Sequence, residues 1–166
     1  MPITRRTDYA VRMMYELAQL PPGATLSLRD LCELAQVPDS FGATIAAFLV
    51  ESRLIRRSGY RDYQISLARP AMDITMAEVI LACEPGFSLS QCAREPESCS
   101  RSPHCGVHTM WASLDHMVMS RLESVTLAHV ARGQAFASDT DTLRAALAFE
   151  IILFFGASRH YSFYFS

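Results

Sequence analysis

Cys92, Cys99 and Cys105 lie within fourteen residues of one another in the stretch QCAREPESCSRSPHCGVH (91–108), which also carries His104 and His108. The spacing is Cys-x6-Cys-x5-Cys-x2-His when His108 is the fourth member. Thiolates are soft donors that favour zinc and iron–sulfur clusters, and three of them on one loop can converge on a single metal centre. The pattern is neither the paired Cys-x2-Cys of a zinc ribbon nor the tightly spaced run of a bacterial ferredoxin. Spacing alone therefore leaves three chemistries open: a cluster, a zinc ion, or free redox-active thiols. His104, next to Pro103, is either an alternative ligand or a solvated loop histidine. The remaining cysteines, Cys32 and Cys83, fall on apolar helical stripes and read as small buried hydrophobes.

The elements that must position this loop follow from periodicity. TDYAVRMMYELAQL places Tyr9, Ala10, Met13, Met14, Leu17 and Leu20 at helical spacing, and Pro21-Pro22-Gly23 ends that helix. SLRDLCELAQ opens with Ser27 and has Asp30 three residues on, a capping arrangement, with Leu28, Leu31, Leu34 and Ala35 as its apolar face. After the short turn QVPDS, a third helix is expected from Asp39 or Ser40, burying Phe41, Ile45, Phe48 and Leu49. Two short helices joined by a tight turn predict a helix-turn-helix. In RRSGYRDYQISL, Tyr63, Ile65 and Leu67 alternate with Asp62, Gln64 and Ser66, which predicts a hairpin turning near Gly59. A hairpin in that position is a wing, and Arg56, Arg57 and Arg61 would meet phosphates there; the plain alternative is a solvated hairpin.

TMAEVILACE predicts a helix with Met76, Val79, Ile80 and Cys83 on one stripe. Beyond the cysteine loop, VHTMWASLDHMVMSRLESVT predicts a long amphipathic helix with the stripe Val107, Met110, Trp111, Leu114, Met117, Val118, Leu122 and Val125. So long a helix has little of its own small domain to bury against, so a partner subunit is the expected cover. TLAHVARGQ extends or follows it. In the segment 139–166, Leu143, Ala146, Leu147, Ile151 and Phe154 suit a helix face capped by Asp139 or Thr140; no role is assigned to it.

Composition narrows the function. Half of the 166 residues are hydrophobic, which predicts a folded chain. Five cysteines is an odd number, and MPITRRTDYAV has no apolar export pattern. A cytoplasmic protein without a disulfide framework is expected. AALAFEIILFFGA carries Glu150 and is too short to span a bilayer, so no membrane partner is expected. All fifteen basic residues are Arg; residues 1–69 hold nine against seven acids, a net of +2, and residues 70–166 hold six against ten, a net of −4. The mildly basic front half suits a polyanion. No Gly-rich phosphate loop, nucleophile elbow or HExxH is present, so no enzyme is expected.

The segment ITRRTDYAVRMMYELA, the helix-turn-helix, the wing, DITMAEVILACE, the cysteine loop and CGVHTMWASL resemble the IscR/NsrR group of bacterial regulators (the Rrf-two family) over roughly residues 1–132. The resemblance implies a mainly α fold with a small β-wing: a winged helix-turn-helix domain (1–70), a cluster-binding loop with a long dimerisation helix (71–132), and a C-terminal extension (133–166). It implies a homodimer on double-stranded DNA, with a 2Fe–2S or 4Fe–4S cluster held by Cys92, Cys99 and Cys105. The fourth ligand would be His108 in the IscR-like pattern, or Asp8 of the other subunit in the NsrR-like one. Arg5, Arg6, Arg56, Arg57 and Arg61 would grip phosphates, and Ser40 and Thr44 would face bases.

The chain departs from the family pattern in three places. Six residues rather than five separate the first two cysteines, the wing lacks Gly-Gly-Tyr, and the third helix exposes Ser40, Ala43, Thr44 and Ala47 without an Arg, Asn or Gln for bidentate base reading. The expected function is a DNA-binding regulator sensing iron–sulfur status, redox state or nitric oxide. The alternatives are a cluster-carrying interaction protein without specific DNA binding and a zinc- or thiol-based regulator.

Overall fold

The computed structural model describes residues 3–59 and 63–134. Arg61 and the segment 139–166 lie outside the described residues. The chain divides into two compact units, 1–132 and 133–166, and the first carries every element below.

Helix α1 (Arg5–Gln19) runs through the middle of this unit, with Thr7, Ala10, Met13, Met14 and Leu17 buried along it. Thr4 caps it by accepting the Thr7 N–H, and the chain turns through Gly23 at φ 82°. Strand β1 (Leu26–Ser27) leads into α2 (Leu28–Leu34), whose first turn is capped by the Ser27 hydroxyl. The tight turn to α3 (Asp39–Glu51) is closed by the Val37 N–H on the Cys32 carbonyl at 2.8 Å, with Gln36 in the left-handed region at φ 54°. Ile45, Ala46 and Leu49 anchor α3 in the core.

Strands β2 (Ile55–Ser58) and β3 (Gln64–Leu67) form the wing, antiparallel with Ile55 opposite Leu67 and Ser58 opposite Gln64. β1 adds to the other edge of β3, giving the order β1-β3-β2. Helix α4 (Met76–Cys83) starts from a full capping box between Thr75 and Glu78, and Arg69 bonds Glu78 at 2.8 Å. Burial pushes the Glu78 carboxyl up, but the Thr75 and Arg69 hydrogen bonds outweigh it and hold the group below its ordinary value.

The cysteine loop contains the short helix α5 (Gln91–Arg94) and two 3-10 turns, at 96–98 and 102–104. Helix α6 (Gly106–Ser124) follows, about 28 Å long at 1.5 Å per residue. The chain then returns to the foot of α4: the Met76 N–H bonds the Val125 carbonyl and the Leu127 N–H bonds the Ile74 carbonyl, both at 2.8 Å. Helix α7 (Leu127–Ala131) packs back beside α1.

Four expectations about burial need correction. Phe41 is 42 % exposed on the flank of α3, where its ring and that of Tyr9 meet edge-to-face. Leu34 is 53 % exposed, and Cys32 takes the inward position instead. Cys32 fits because α2 and α3 touch at Gly42, where a Cβ would lie 2.2 Å from the Cys32 sulfur. Tyr63 is exposed, and it is Ile55 and Ile65 of the wing that point fully into the core. Val125 lies past the end of α6 and is buried by its own chain at the foot of α4.

Candidate functional site

Two surfaces carry the chemistry-bearing residues: the face of α3 with the wing, and the cysteine loop with the start of α6. On α3, Ser40, Ala43, Thr44 and Ala47 are all exposed. Helical geometry places positions i, i+3, i+4 and i+7 on one stripe, opposite the buried Ile45 and Leu49. The expected phosphate contacts are arranged unevenly. Arg5 is exposed. Arg6 turns inward: its guanidinium donates to the Cys83 carbonyl and lies 5.0 Å from the Phe48 ring centroid, with Nε buried and unpartnered. In the wing, Arg56 donates to the Ala68 carbonyl at 2.6 Å, and Arg57 stacks 4.2 Å from the Tyr63 ring centroid. Both keep exposed positions on the sheet. Arg53, at the end of α3 with φ 56°, adds an exposed cation that sequence reasoning overlooked.

In the cysteine loop, Cys92 sits in α5 with its sulfur 3.5 Å from the Ser90 hydroxyl. Cys99 follows the first 3-10 turn and Cys105 immediately precedes α6. All three are free thiols and half-buried, whereas Cys32 and Cys83 are fully buried. The N–H groups of His108 and Val107 donate to the Cys105 sulfur and hold its thiol below the ordinary value; the Arg101 charge acts in the same direction. Burial has the opposite effect on Cys32 and Cys83, whose thiols are pushed up, and Asp39 and Glu84 respectively add to that. His108 Nδ1 is buried without a hydrogen-bond partner, one helical turn from Cys105. The Ser102 hydroxyl is likewise buried and unpartnered. His104 is exposed, and Asp8 pairs with Arg12 at 2.8 Å in the first turns of α1.

Among the described residues, no three His, Cys, Asp or Glu side chains are gathered around one point as a metal site. The loop therefore brings the donors onto one segment without converging them. In donor chemistry the set still fits a thiophilic centre: three accessible thiols, one of them acidified, beside an imidazole nitrogen that lacks a partner inside the protein.

Two carboxylates tie the segment leading into this loop to the rest of the unit. Asp115, midway along α6, accepts from the Leu89 N–H at 2.7 Å and the Ser88 hydroxyl at 3.0 Å. Glu84, at the end of α4, accepts from the Thr4 N–H and from the hydroxyls of Thr4 and Thr7. Burial works against the Glu84 carboxylate, but these bonds and the Arg6 charge hold its pKa below the ordinary range. Through Thr4, Thr7 and Arg6, the residues preceding the cysteine loop touch α1 and then Phe48 of α3. Glu84 and its threonines were missed in the sequence because the partners are 77 and 80 residues apart and match no local motif.

Comparison with known proteins settles the family. The Rrf2 family model, described as an iron-dependent transcriptional regulator, matches residues 3–133. The chain belongs to the Rrf2 family. A protein of Mycobacterium tuberculosis (strain H37Rv) named as an HTH-type transcriptional regulator is 29% identical over 163 residues, covering 96% of this chain and 99% of the relative. The HTH-type transcriptional regulator IscR of Yersinia enterocolitica is 25% identical over 151 residues, 88% of this chain and 92% of the relative. The structure of T. potens IscR superposes with a TM-score of 0.64 at 19% identity, covering 83% of this chain and 91% of that one, and shares the fold. As an Rrf2 protein the chain is a winged-helix, DNA-binding transcriptional regulator and not an enzyme. Among its described residues, no helix is long and apolar enough to cross a membrane.

Proposed function

We propose that this Rrf2 regulator is a homodimer whose affinity for double-stranded DNA is set by an iron–sulfur cluster held by Cys92, Cys99 and Cys105. The observation that carries the reading is the pairing of three accessible loop thiols with the orphaned His108 Nδ1. His108 is the fourth donor from the same chain, and Asp8 of the partner subunit is the alternative. IscR among its relatives supports the same reading. Such a cluster supplies a centre that iron supply, oxidants or nitric oxide can alter. The protein's residues do the rest. Residues 71–132 form the sensing and dimerisation part: α6 presents Val107, Met110, Leu114 and Met117 to solvent, an apolar face that a second copy would cover. Residues 1–70 form the DNA-binding part, with Ser40 and Thr44 toward bases and Arg5, Arg56, Arg57 and Arg61 toward phosphates. Asp115 and Glu84 transmit loop rearrangement to α6 and to α1, which shifts the two heads between spacings of different operator affinity. The cytoplasm, where thiols stay reduced, is the fitting compartment.

Full-length protein purified anaerobically should be coloured, with iron and sulfide present in stoichiometric amounts. Cys99→Ser should remove most of both, whereas Cys32→Ser and Cys83→Ser should retain them and lower thermal stability. Colourless protein containing zinc would replace the cluster with a Cys-Cys-Cys-His zinc site. Full cluster occupancy in Cys99→Ser would overturn the ligand assignment.

A further inference from the structure

Base reading by helix-turn-helix proteins usually relies on Arg, Asn, Gln or Lys near the start of the second helix, because those side chains form paired hydrogen bonds with base edges. Here α3 offers none. Its outward residues are Asp39, Ser40, Phe41, Ala43, Thr44, Ala47, Val50 and Glu51. The central stripe, Ser40-Ala43-Thr44-Ala47, presents two alanine methyls, one threonine methyl and two hydroxyls. Phe41 flanks it, 42 % exposed and held at 5.6 Å between ring centroids by the edge of Tyr9. The stripe is also shallow. Gly42 lies against Cys32, and no side chain longer than threonine stands between Phe41 and Val50 on the exposed side.

A smooth, short-sided helix can approach the groove floor closely, and the one apolar feature there is the C5-methyl group of thymine. Electrostatic grip comes from elsewhere: Arg53, Arg56 and Arg57 are exposed where α3 ends and the wing begins. That division puts charge on the backbone and methyl contacts on the bases.

We infer that α3 reads its operator through thymine methyl groups, with Ala43, Thr44 and Ala47 as the contacting residues and Phe41 as a lateral apolar stop. The ligand class is a major-groove face bearing thymines at successive or alternate base pairs. Hydrogen bonding by Ser40 and Thr44 is secondary and degenerate, since a hydroxyl serves a donor or an acceptor equally. This inference rests on the DNA-binding role of the family and is independent of what the cysteine loop holds.

The test replaces thymine by uracil, which removes the methyl and leaves the pairing and the O4 acceptor in place. Full-length protein, prepared anaerobically, is used to select binding sites from random duplexes, and the positions under α3 are located by footprinting. Duplexes are then remade with 2′-deoxyuridine at those thymines, or at flanking thymines as a control. Each methyl lost under α3 should weaken binding about fourfold, the factor expected for one buried methyl, while flanking replacements leave affinity unchanged. Thr44→Ser, which deletes one protein methyl at an exposed position, should weaken binding to the thymine duplex and reduce the thymine-to-uracil ratio. Arg57→Ala should weaken both duplexes by the same factor and lower the salt slope by about one unit. A selected site bound equally with uracil under α3, a Thr44→Ser protein with an unchanged ratio, or a selection that yields no preferred sequence would each overturn the inference. Repeating the measurement with a metal chelator separates the two claims: an operator affinity unchanged by chelation counts against the sensing role alone, and a methyl effect absent both with and without chelator counts against the reading by α3 alone.

Discussion

Helices α4 and α6 both carry aliphatic and sulfur-bearing residues, seven of eight positions in α4 counting alanine and eight of nineteen in the more polar α6, yet α4 buries five of its residues and α6 buries none. The difference lies in what surrounds them. α4 is enclosed by α1, α3 and α6, whereas α6 meets α4 and α5 on one side and leaves Val107, Met110, Leu114 and Met117 outward. Apolar side chains thus stabilise the fold directly at α4, while on α6 Val107, Met110, Leu114 and Met117 stay open to solvent, the face assigned above to a proposed second copy.

The largest effect that would sharpen this contrast is a matched pair of truncations. Leu49 is fully buried in α3 and Leu114 is 39 % exposed on α6. Leu49→Ala should destabilise the chain by about 2–5 kcal/mol, seen as a lower urea midpoint at any protein concentration. Leu114→Ala should leave the dilute protein's midpoint nearly unchanged and lower it only where wild type is dimeric. Equal losses at all concentrations would mean that Leu114 of α6 belongs to the chain's own core. Leu114→Asp makes the same point by mass: light scattering should report a dimer for wild type at micromolar concentration and a monomer for the variant.

A smaller effect is expected at the contact between α2 and α3. Gly42→Ala places a methyl against the Cys32 sulfur and should cost about 1–3 kcal/mol through overpacking. Adding Cys32→Ala should recover part of that loss. Two additive losses in thermal unfolding would show that the helices separate freely.

The smallest is electrostatic and joins the two regions. The Glu84 carboxylate is favoured in the folded state, so its contribution is present above the ordinary carboxylate pKa and is lost as pH falls from there through the depressed folded value. Glu84→Gln should flatten that part of the acid unfolding profile, leave stability near pH 7 only slightly lower, and reduce the difference in operator affinity between metal-loaded and chelated protein. A variant with an unchanged difference would remove Glu84 from the path between the loop and α1.

Much of this organisation was legible in the sequence, because it is local. The helix-turn-helix, the wing and the long helix each follow from a repeat of apolar residues at a fixed period, and Cys32 and Cys83 read as core for the same reason. Periodicity marks a stripe but not its edges. That is why Leu34, Phe41 and Tyr63 looked buried: each lies on the margin of a stripe, and its cover depends on a neighbour distant in sequence. β1 is two residues long and carries no pattern. The residue types of the cysteine loop were plain, whereas its α5 and 3-10 turns arise from capping by Ser90 and from Pro96 and Pro103, which spacing does not convey. Arg6 matched an exposed phosphate contact until Phe48 and the Cys83 carbonyl claimed it.

The hydrogen bonds between Ile74–Met76 and Val125–Leu127 have an evolutionary consequence. They cinch the chain at the foot of α4 and α6, so everything between is an excursion that leaves and returns at one fixed place. Lengthening a closed excursion is entropically mild, about 0.6 kcal/mol for a doubling. A residue inserted between Cys92 and Cys99 would therefore be absorbed within the excursion, with no shift in the register of α1, α3 or the wing. The stretch between these bonds can therefore change in length while both of its ends stay fixed to each other.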